Sequence, residues 1–473
     1  MDHEIILITL VALAGLYMAW NIGANDVANA MGTSVGSGSL TLRQAVFIAA
    51  VLEFTGALLF GSHVSDTIQQ GIVNPSIFAF EPMNFVKGML ASLIAAGIWL
   101  QIASYYGWPV STTHSIIGAI VGFGAIVGGL DAIYWKNVFF IATSWILSPI
   151  LGGIVGYLVF IWLRKVVFYA SSPIAATKKI VPWLVLIFLG TISLIIMFGG
   201  LKNLNIHLNL VESIFFSLLL GSIGAFIAFF LVKDLPNKKI GASLKPDTSQ
   251  EAIQDLEKAK KYLFAAREKT KGSTSYQVGI ALDELEHLSH SMEQDDQATP
   301  SEYELVEKVF GYLQIMSASF MAFAHGANDV ANAIGPVAAA FVVLKTGKIP
   351  TSSMAIPIWI LALGGLGIVA GLATWGWRVI ETIGKKLTEL TPSRGFAAEF
   401  GAALTIVFAS RLGLPISTTH TLVGAVLGIG LARGIEALDL STTRDIVVSW
   451  IVTVPAGALI SIAVYYLLLF IPT

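Results

Sequence analysis

The sequence predicts an all-α polytopic membrane protein made of two homologous halves around a charged middle, and three observations predict it. First, 55% of its 473 residues are hydrophobic and 12% charged, with a mean hydropathy of +0.76, well to the apolar side of soluble chains. Second, about twelve windows hold the 17 to 25 apolar residues needed to cross a bilayer core. Third, the octapeptide Gly-Ala-Asn-Asp-Val-Ala-Asn-Ala at 23–30 recurs letter for letter at 326–333. An identity of that length, in a chain of interchangeable aliphatic residues, marks duplication.

The apolar windows fall near 5–22, 43–62, 84–105, 110–130, 137–163, 181–199 and 211–232, then 309–325, 355–378, 396–411, 415–433 and 445–470. The start, Met-Asp-His-Glu, lacks the cationic segment of a signal peptide and reads as the outer end of a first membrane helix. Arg164, Lys165, Lys178 and Lys179 crowd one short loop, whereas the loop after the next span carries only Lys202. The basic side is the cytoplasmic one. With no cysteine, disulfides and thiolate chemistry are excluded. A net charge of -2 and the lack of a basic patch exclude a nucleic-acid partner.

Residues 233–308 break the pattern, holding 26 of the 58 charged side chains (28 basic, 30 acidic). They separate a first membrane region, 1–232, from a second, 309–473, with the first repeat covering about 5–163. Helical spacing of Ile253, Leu256 and Leu263, and of Leu282, Leu285 and Leu288, predicts two amphipathic helices at 251–271 and 276–294. Gly272 to Ser275 forms the turn of this cytoplasmic hairpin. Both a regulatory domain and a plain solvated tether fit such a hairpin.

The repeat extends beyond the octapeptides. Gly107 to Ala119, which contains Pro-Val-Ser-Thr-Thr-His, recurs at Gly413 to Ala425 with Pro-Ile-Ser-Thr-Thr-His. The offset is 306 residues here and 303 at the octapeptides, so the halves stay in step. Between the motifs, Gly56, Gly61, Val64, Asp66, Thr67 and Ile68 match Gly371, Gly376, Val379, Glu381, Thr382 and Ile383. The windows 137–163, 181–199 and 211–232 lack a clear counterpart, save that 445–470 could answer the first. Duplicated transporters place their ligand site between the repeats, often with broken helices whose ends point at it.

Proline followed by Ser and Thr is the composition of a helix start, where backbone N–H groups lack partners. Pro109 to His114 and Pro415 to His420 therefore each offer N–H donors, hydroxyls and the positive end of a helix dipole. Tetrahedral oxyanions such as phosphate and sulfate suit that arrangement. The bland reading is that these hydroxyls only satisfy helix ends. Duplication at matched positions argues against it.

The octapeptides supply the complement. Asn25, Asp26 and Asn29, and Asn328, Asp329 and Asn332, put a carboxylate and amides into membrane depth, where an Asp is costly unless it faces a polar interior. Were the helix unwound at Gly23 or Gly326, its carbonyls would join them. Such hard oxygens suit an alkali or alkaline-earth cation, and a proton relay would use the same groups. Since neither motif contains Lys or Arg, a bound anion would need cotransported cations for neutralisation. Glu53 and Glu399, which are not repeat equivalents, are cation ligands or protonatable gates. His114 and His420 close their motifs, and either an anion contact or a structural bond fits them; His325 faces Ile22 across the repeat, so its role is one-sided.

On Gly23 to Ala30, Gly326 to Ala333, Pro109 to His114 and Pro415 to His420, with Glu53 and Glu399 fitting two membrane glutamates, the chain resembles the inorganic phosphate transporter family. The resemblance covers both membrane regions and spares the middle. It implies secondary transport of inorganic phosphate, two inverted repeats, both termini outside and a cytoplasmic central region. It also implies that Asn25, Ser111, Thr112, Thr113, Asn328, Ser417, Thr418 and Thr419 touch phosphate, while Asp26, Asn29, Asp329 and Asn332 serve the cations. The expectation is a cell-membrane phosphate and sodium symporter with no resident cofactor, Na+ being the coupling ion. The expected partners are inorganic phosphate, Na+ (or H+) and the lipid bilayer, and a homodimer is one arrangement open to it. Proton-coupled phosphate or metal-phosphate transport and sulfate transport are the alternatives. An intramembrane hydrolase would need a nucleophile beside a base, and H-E-x-x-H does not occur, while an anion channel would share the donors but not need the Asp pair.

Overall fold

The computed structural model describes residues 2–170, 172–199, 208–235, 250–269, 278, 282, 285, 301–349, 356–377, 379–380, 390–433 and 440–470. Among them fourteen α-helices account for nearly all of the chain, and no strand is present beyond a single isolated bridge between Val73 and Ile133. In order they are α1 (Asp2–Gly36), α2 (Leu42–Phe60), α3 (Ser62–Gln70), α4 (Pro82–Tyr105), α5 (Thr112–Gly128), α6 (Trp135–Leu163) and α7 (Pro173–Gly199). Then follow α8 (Leu210–Lys233), α9 (Gln250–Lys269), α10 (Ser301–Thr346), α11 (Ile358–Thr374), α12 (Pro392–Arg411), α13 (Thr418–Arg433) and α14 (Leu440–Leu468).

Each of the twelve apolar windows is a helix. Eight of these helices (α1, α2, α4, α6, α7, α8, α10 and α14) are long and apolar enough to cross a membrane, and α5 and α11 are shorter apolar helices. The first helix of the charged middle is α9. Its partner at 276–294, the turn before it and the repeat matches Glu381, Thr382 and Ile383 lie outside the described residues, apart from 278, 282 and 285. Residues 301–308 are not part of a hairpin: they run without a break into the second octapeptide as the first turns of the 46-residue α10.

Local chemistry sets where these helices begin. Thr41 with Gln44, and Asn209 with Glu212, form reciprocal caps at the starts of α2 and α8. Ser111 caps α5 by accepting from the His114 N–H at 3.2 Å, and Ser417 caps α13 by accepting from the His420 N–H at 3.2 Å. Removing a cap of this kind costs about 1 kcal/mol. Ser417→Ala is accordingly expected to lower the melting temperature of the detergent-purified protein; an unchanged melt would refute the capping role.

The two halves are interlocked. Helix α1 packs on α11 of the other half and α10 on α2; likewise α5 packs on α14 and α13 on α6. Matched glycines make the crossings close. A Cβ at Gly56 would lie 2.2 Å from the Phe323 carbonyl oxygen, and one at Gly371 would lie 1.8 Å from that of Trp20, its repeat equivalent. The pairing also resolves the counterpart of 137–163: α6 and α14 occupy equivalent positions. Helices α7 and α8 have no equivalent and pack on each other as an added pair.

The repeats are inverted. Along α1 and α10, Glu4 meets Lys345 at 3.4 Å, Asp26 meets His325 and Asp329, and Ser37 meets Gln314 at 2.6 Å. Ascending numbers on one helix thus pair with descending numbers on the other, so the two octapeptide helices run antiparallel. Large apolar side chains such as Phe139, Ile150, Phe226 and Leu231 remain exposed on α6 and α8, where a membrane would cover them.

Candidate functional site

The unwinding envisaged at the octapeptides does not occur. Both α1 and α10 run helical through Gly23 and Gly326, whose missing side chains admit a neighbour instead: a Cβ there would lie 1.9 Å from the Ile368 carbonyl oxygen and 2.2 Å from that of Glu53. The break in helical structure falls at the Ser-Thr-Thr-His motifs. Helices α4 and α5 form a hairpin, with Gly88 of one against the Phe123 ring of the other, and the turn between them is made by Gly107 at φ 69°. Helices α12 and α13 repeat this with Gly413 at φ 69°. A left-handed residue followed by proline stops one helix and starts the next.

The two hairpin tips meet each other. Thr113 Oγ1 donates to the Ile416 carbonyl at 2.9 Å, and Thr419 Oγ1 lies 3.4 Å from the Val110 carbonyl oxygen. The rings of His114 and His420 cross at 82° with centroids 4.4 Å apart, and each lies against an indole, Trp145 at 3.8 Å and Trp450 at 3.6 Å. These histidines are therefore packed at the junction of the two tips.

Against the tips lie the octapeptides. Thr112 Oγ1 donates to Asp26 Oδ2 at 2.8 Å, and Thr418 Oγ1 donates to Asp329 Oδ2 at 2.6 Å. Contacts also cross between halves: Asn29 Nδ2 donates to Thr419 Oγ1 at 2.7 Å, and Asn332 Nδ2 to Thr113 Oγ1 at 3.1 Å. Asn29 further donates to Asp26 Oδ1 at 3.0 Å. Asn25 is held by Ser104 and the Trp108 carbonyl, and Asn328 by their repeat equivalents, Ser410 and the Leu414 carbonyl. Each octapeptide thus binds a tip of the opposite half, so neither half builds the site alone.

Apart from Ser410, at 9%, every one of these side chains is at most 2% exposed. With their nitrogens committed as above, the amide oxygens of Asn25, Asn29, Asn328 and Asn332, and Oδ1 of Asp329, receive no hydrogen bond. Buried acceptors are normally satisfied, so a cluster of five calls for a ligand that brings positive charge or donors. His325 stands in the same cluster, with Nε2 3.0 Å from Asp329 Oδ2 and 3.7 Å from Asp26 Oδ2, and Nδ1 3.2 Å from Glu53 Oε1. Asp26, His325 and Asp329 present ligand atoms within 4.8 Å of one another. Three carboxylates against one imidazole favour cations at this point.

Glu399 is elsewhere. Its carboxylate accepts from Thr33, from Ser34 at 2.8 Å and from Ser317 at 2.5 Å, with Gln314 Nε2 at 3.4 Å. Thr33 lies seven residues beyond Asp26, which is about 10 Å along the helix. The repeat equivalents of the one-sided groups are apolar: Ile22 for His325, Ile368 for Glu53, Leu93 for Glu399, and Val11 and Ala14 for Gln314 and Ser317. Ser104 and Ser410 were legible as a matched pair at the 306-residue offset. The Glu399 donors carry no such mark, because they come from two helices of different halves.

Two inverted, interlocked halves with a buried polar centre where two helix starts and two acidic helices converge define a multi-pass membrane transporter. Residues 22–461 match the phosphate transporter family. The chain is 48% identical over 461 residues, covering 97% of itself and 71% of the relative, to inorganic phosphate transporter 2-1, chloroplastic, of Arabidopsis thaliana. It is also similar to a solved structure, the sodium-dependent phosphate transporter, at 37% identity and a TM-score of 0.80, covering 98% of this chain and 100% of that one. The chain belongs to the phosphate transporter family. It is a transporter of phosphate across a membrane, not an enzyme.

Proposed function

We propose that the chain imports inorganic phosphate by symport with sodium. The observation that carries this reading is the set of five buried oxygens on Asn25, Asn29, Asn328, Asn332 and Asp329 that no group of the protein satisfies. Amide and carboxylate oxygens gathered in this way are the ligands of hard cations. Asp26 and Asp329, with Asn29 and Asn332, hold the cations. The first turns of α5 and α13, with Ser111, Thr112, Thr113, Ser417, Thr418 and Thr419, offer phosphate their N–H and hydroxyl donors, and Asn25 and Asn328 border it. The threonines that now donate to the carboxylates are the link: a cation on Asp26 or Asp329 frees a hydroxyl for the anion and offsets its charge.

Glu399, with its ring of hydroxyls, forms a second oxygen pocket for a cation, and Glu53 acts on the first through His325. Rocking of one half on the other exposes the centre alternately, with both termini outside and 233–308 in the cytoplasm. Proton coupling is the second reading, favoured by His325 between Glu53 and Asp329. Labelled phosphate uptake into proteoliposomes, with sodium and proton gradients imposed separately and excess sulfate outside, tests these. Accumulation is expected to follow the sodium gradient and to ignore sulfate. Accumulation that follows only the proton gradient selects the second reading, and uptake indifferent to both gradients sinks symport.

A further inference from the structure

The added pair α7 and α8 does not close against α10. Between them lies a crevice of about 650 Å³ whose lining is apolar, for example Val185, Leu189, Ile227 and Leu313, except for Lys308 and Tyr312. The lining runs from Gly224 on α8 to Leu235 just past its end, and from Leu305 to Met316 on α10. At the helical rise that is about 17 Å, or one leaflet's share of a hydrocarbon core about 30 Å thick.

Its polar end is also marked. Helix α7 begins, α8 ends and α10 begins at the same end of the crevice, because Val181, Leu235 and Leu305 all line it there. Lysines gather at this end: Lys178 and Lys179 on α7, Lys233 on α8 and Lys308 on α10. Lys233 lies over the Phe230 ring at 4.4 Å, and Lys179 and Lys308 are exposed. The acids here are Asp234, Glu304 and Glu307, and the Glu307 carboxylate is already engaged by the N–H and hydroxyl of Ser393, both at 2.8 Å.

We infer that this crevice binds an anionic phospholipid, with one acyl chain between α8 and α10 and the headgroup phosphate at Lys308 and Lys233. A slot one leaflet long, apolar but for Lys308 and Tyr312 and cationic at its mouth has the shape and charge of that ligand. A second copy of the chain fits less well, because a two-fold contact through this face would set its lysines against their own equivalents. A second apolar crevice, about 510 Å³ among α6, α7 and α12 and lined by Leu147, Leu151, Ile195 and Phe408, has no charged residue at its wall. It serves as an internal control without headgroup preference.

The test uses the full chain purified from mixed phosphatidylglycerol and phosphatidylcholine vesicles, with retained lipid read by native mass spectrometry. Wild type should retain phosphatidylglycerol selectively. Lys308→Gln should lose about fivefold of that preference, and adding Lys233→Gln about as much again. Photoactivatable phosphatidylglycerol should label 224–235 and 305–316 in preference to the control crevice, a readout that needs no variant to fold. Equal retention of both lipids by wild type, an unchanged preference in the double variant, or equal labelling of the two crevices would overturn the assignment. So would a protein-to-protein crosslink from Leu231 in place of lipid.

Discussion

Asp329→Asn protein is expected to lose the sodium dependence of phosphate uptake. Asp329 Oδ1 is a buried acceptor with no protein donor, and Oδ2 takes the Thr418 hydroxyl at 2.6 Å beside His325. Exchange for an amide keeps the shape while deleting the charge and placing a donor where a cation would sit. Altering a group that only supports a metal ligand costs 10–100-fold in affinity, so loss of the ligand itself should cost more than about 100-fold in apparent sodium affinity. Phosphate binding by the purified variant, read by calorimetry at saturating sodium, should survive better, since the first turns of α5 and α13 remain. Unchanged sodium dependence in both Asp26→Asn and Asp329→Asn would refute the division of labour between octapeptides and hairpin tips.

The second large effect is on the fold. A Cβ at Gly371 would stand 1.8 Å from the Trp20 carbonyl oxygen and 2.8 Å from the Ala24 N, both backbone atoms of α1. No rotamer change relieves a clash with backbone, so α11 must move off α1 and take the site's geometry with it. Overpacking of this kind costs about 1–3 kcal/mol, and more where the neighbour cannot yield. Gly371→Ala should therefore melt well below wild type in detergent. Gly190→Ala is the matched control, because its Cβ would meet only the Ser217 carbonyl oxygen at 3.7 Å and alanine favours a helix interior. Equal melting of the two variants would show that the α1 to α11 contact is not limiting.

The sequence made the centre of the site legible because duplication is visible without geometry. Asp26 and Asp329 stood out as costly groups at membrane depth, and the Ser-Thr-Thr-His segments as helix starts; the structure brings those residues together. The exchange of partners was not legible. That α1 lies on α11 and α10 on α2 is a long-range pairing, and apolar periodicity reports only which residues turn away from water. Gly23 and Gly326 were open to two physical uses, release of the backbone or close approach, and only the neighbouring carbonyls decide between them. His325 has Ile22 as its counterpart, so its role is one-sided, and repetition could not show what it meets: Glu53, which is one-sided too, on the same flank of the centre. The hydroxyls around Glu399 come from α1 and α10 at positions with apolar counterparts, so neither spacing nor repetition could have gathered them.

The exchange of partners also governs how the chain must be made. Helix α1 carries Gly23 on a face whose cover, α11, ends at Thr374, more than three hundred residues later. At about 5–20 residues per second that is a delay of roughly 15 to 70 seconds. A chain stopped anywhere in the charged middle holds the Asp26 to Thr112 and Asn25 to Ser104 bonds of its own half, but not the partners that Asp26 and Asn29 find on His325 and Thr419. Completion of the centre therefore waits on the second half: α1 is made early and covered late.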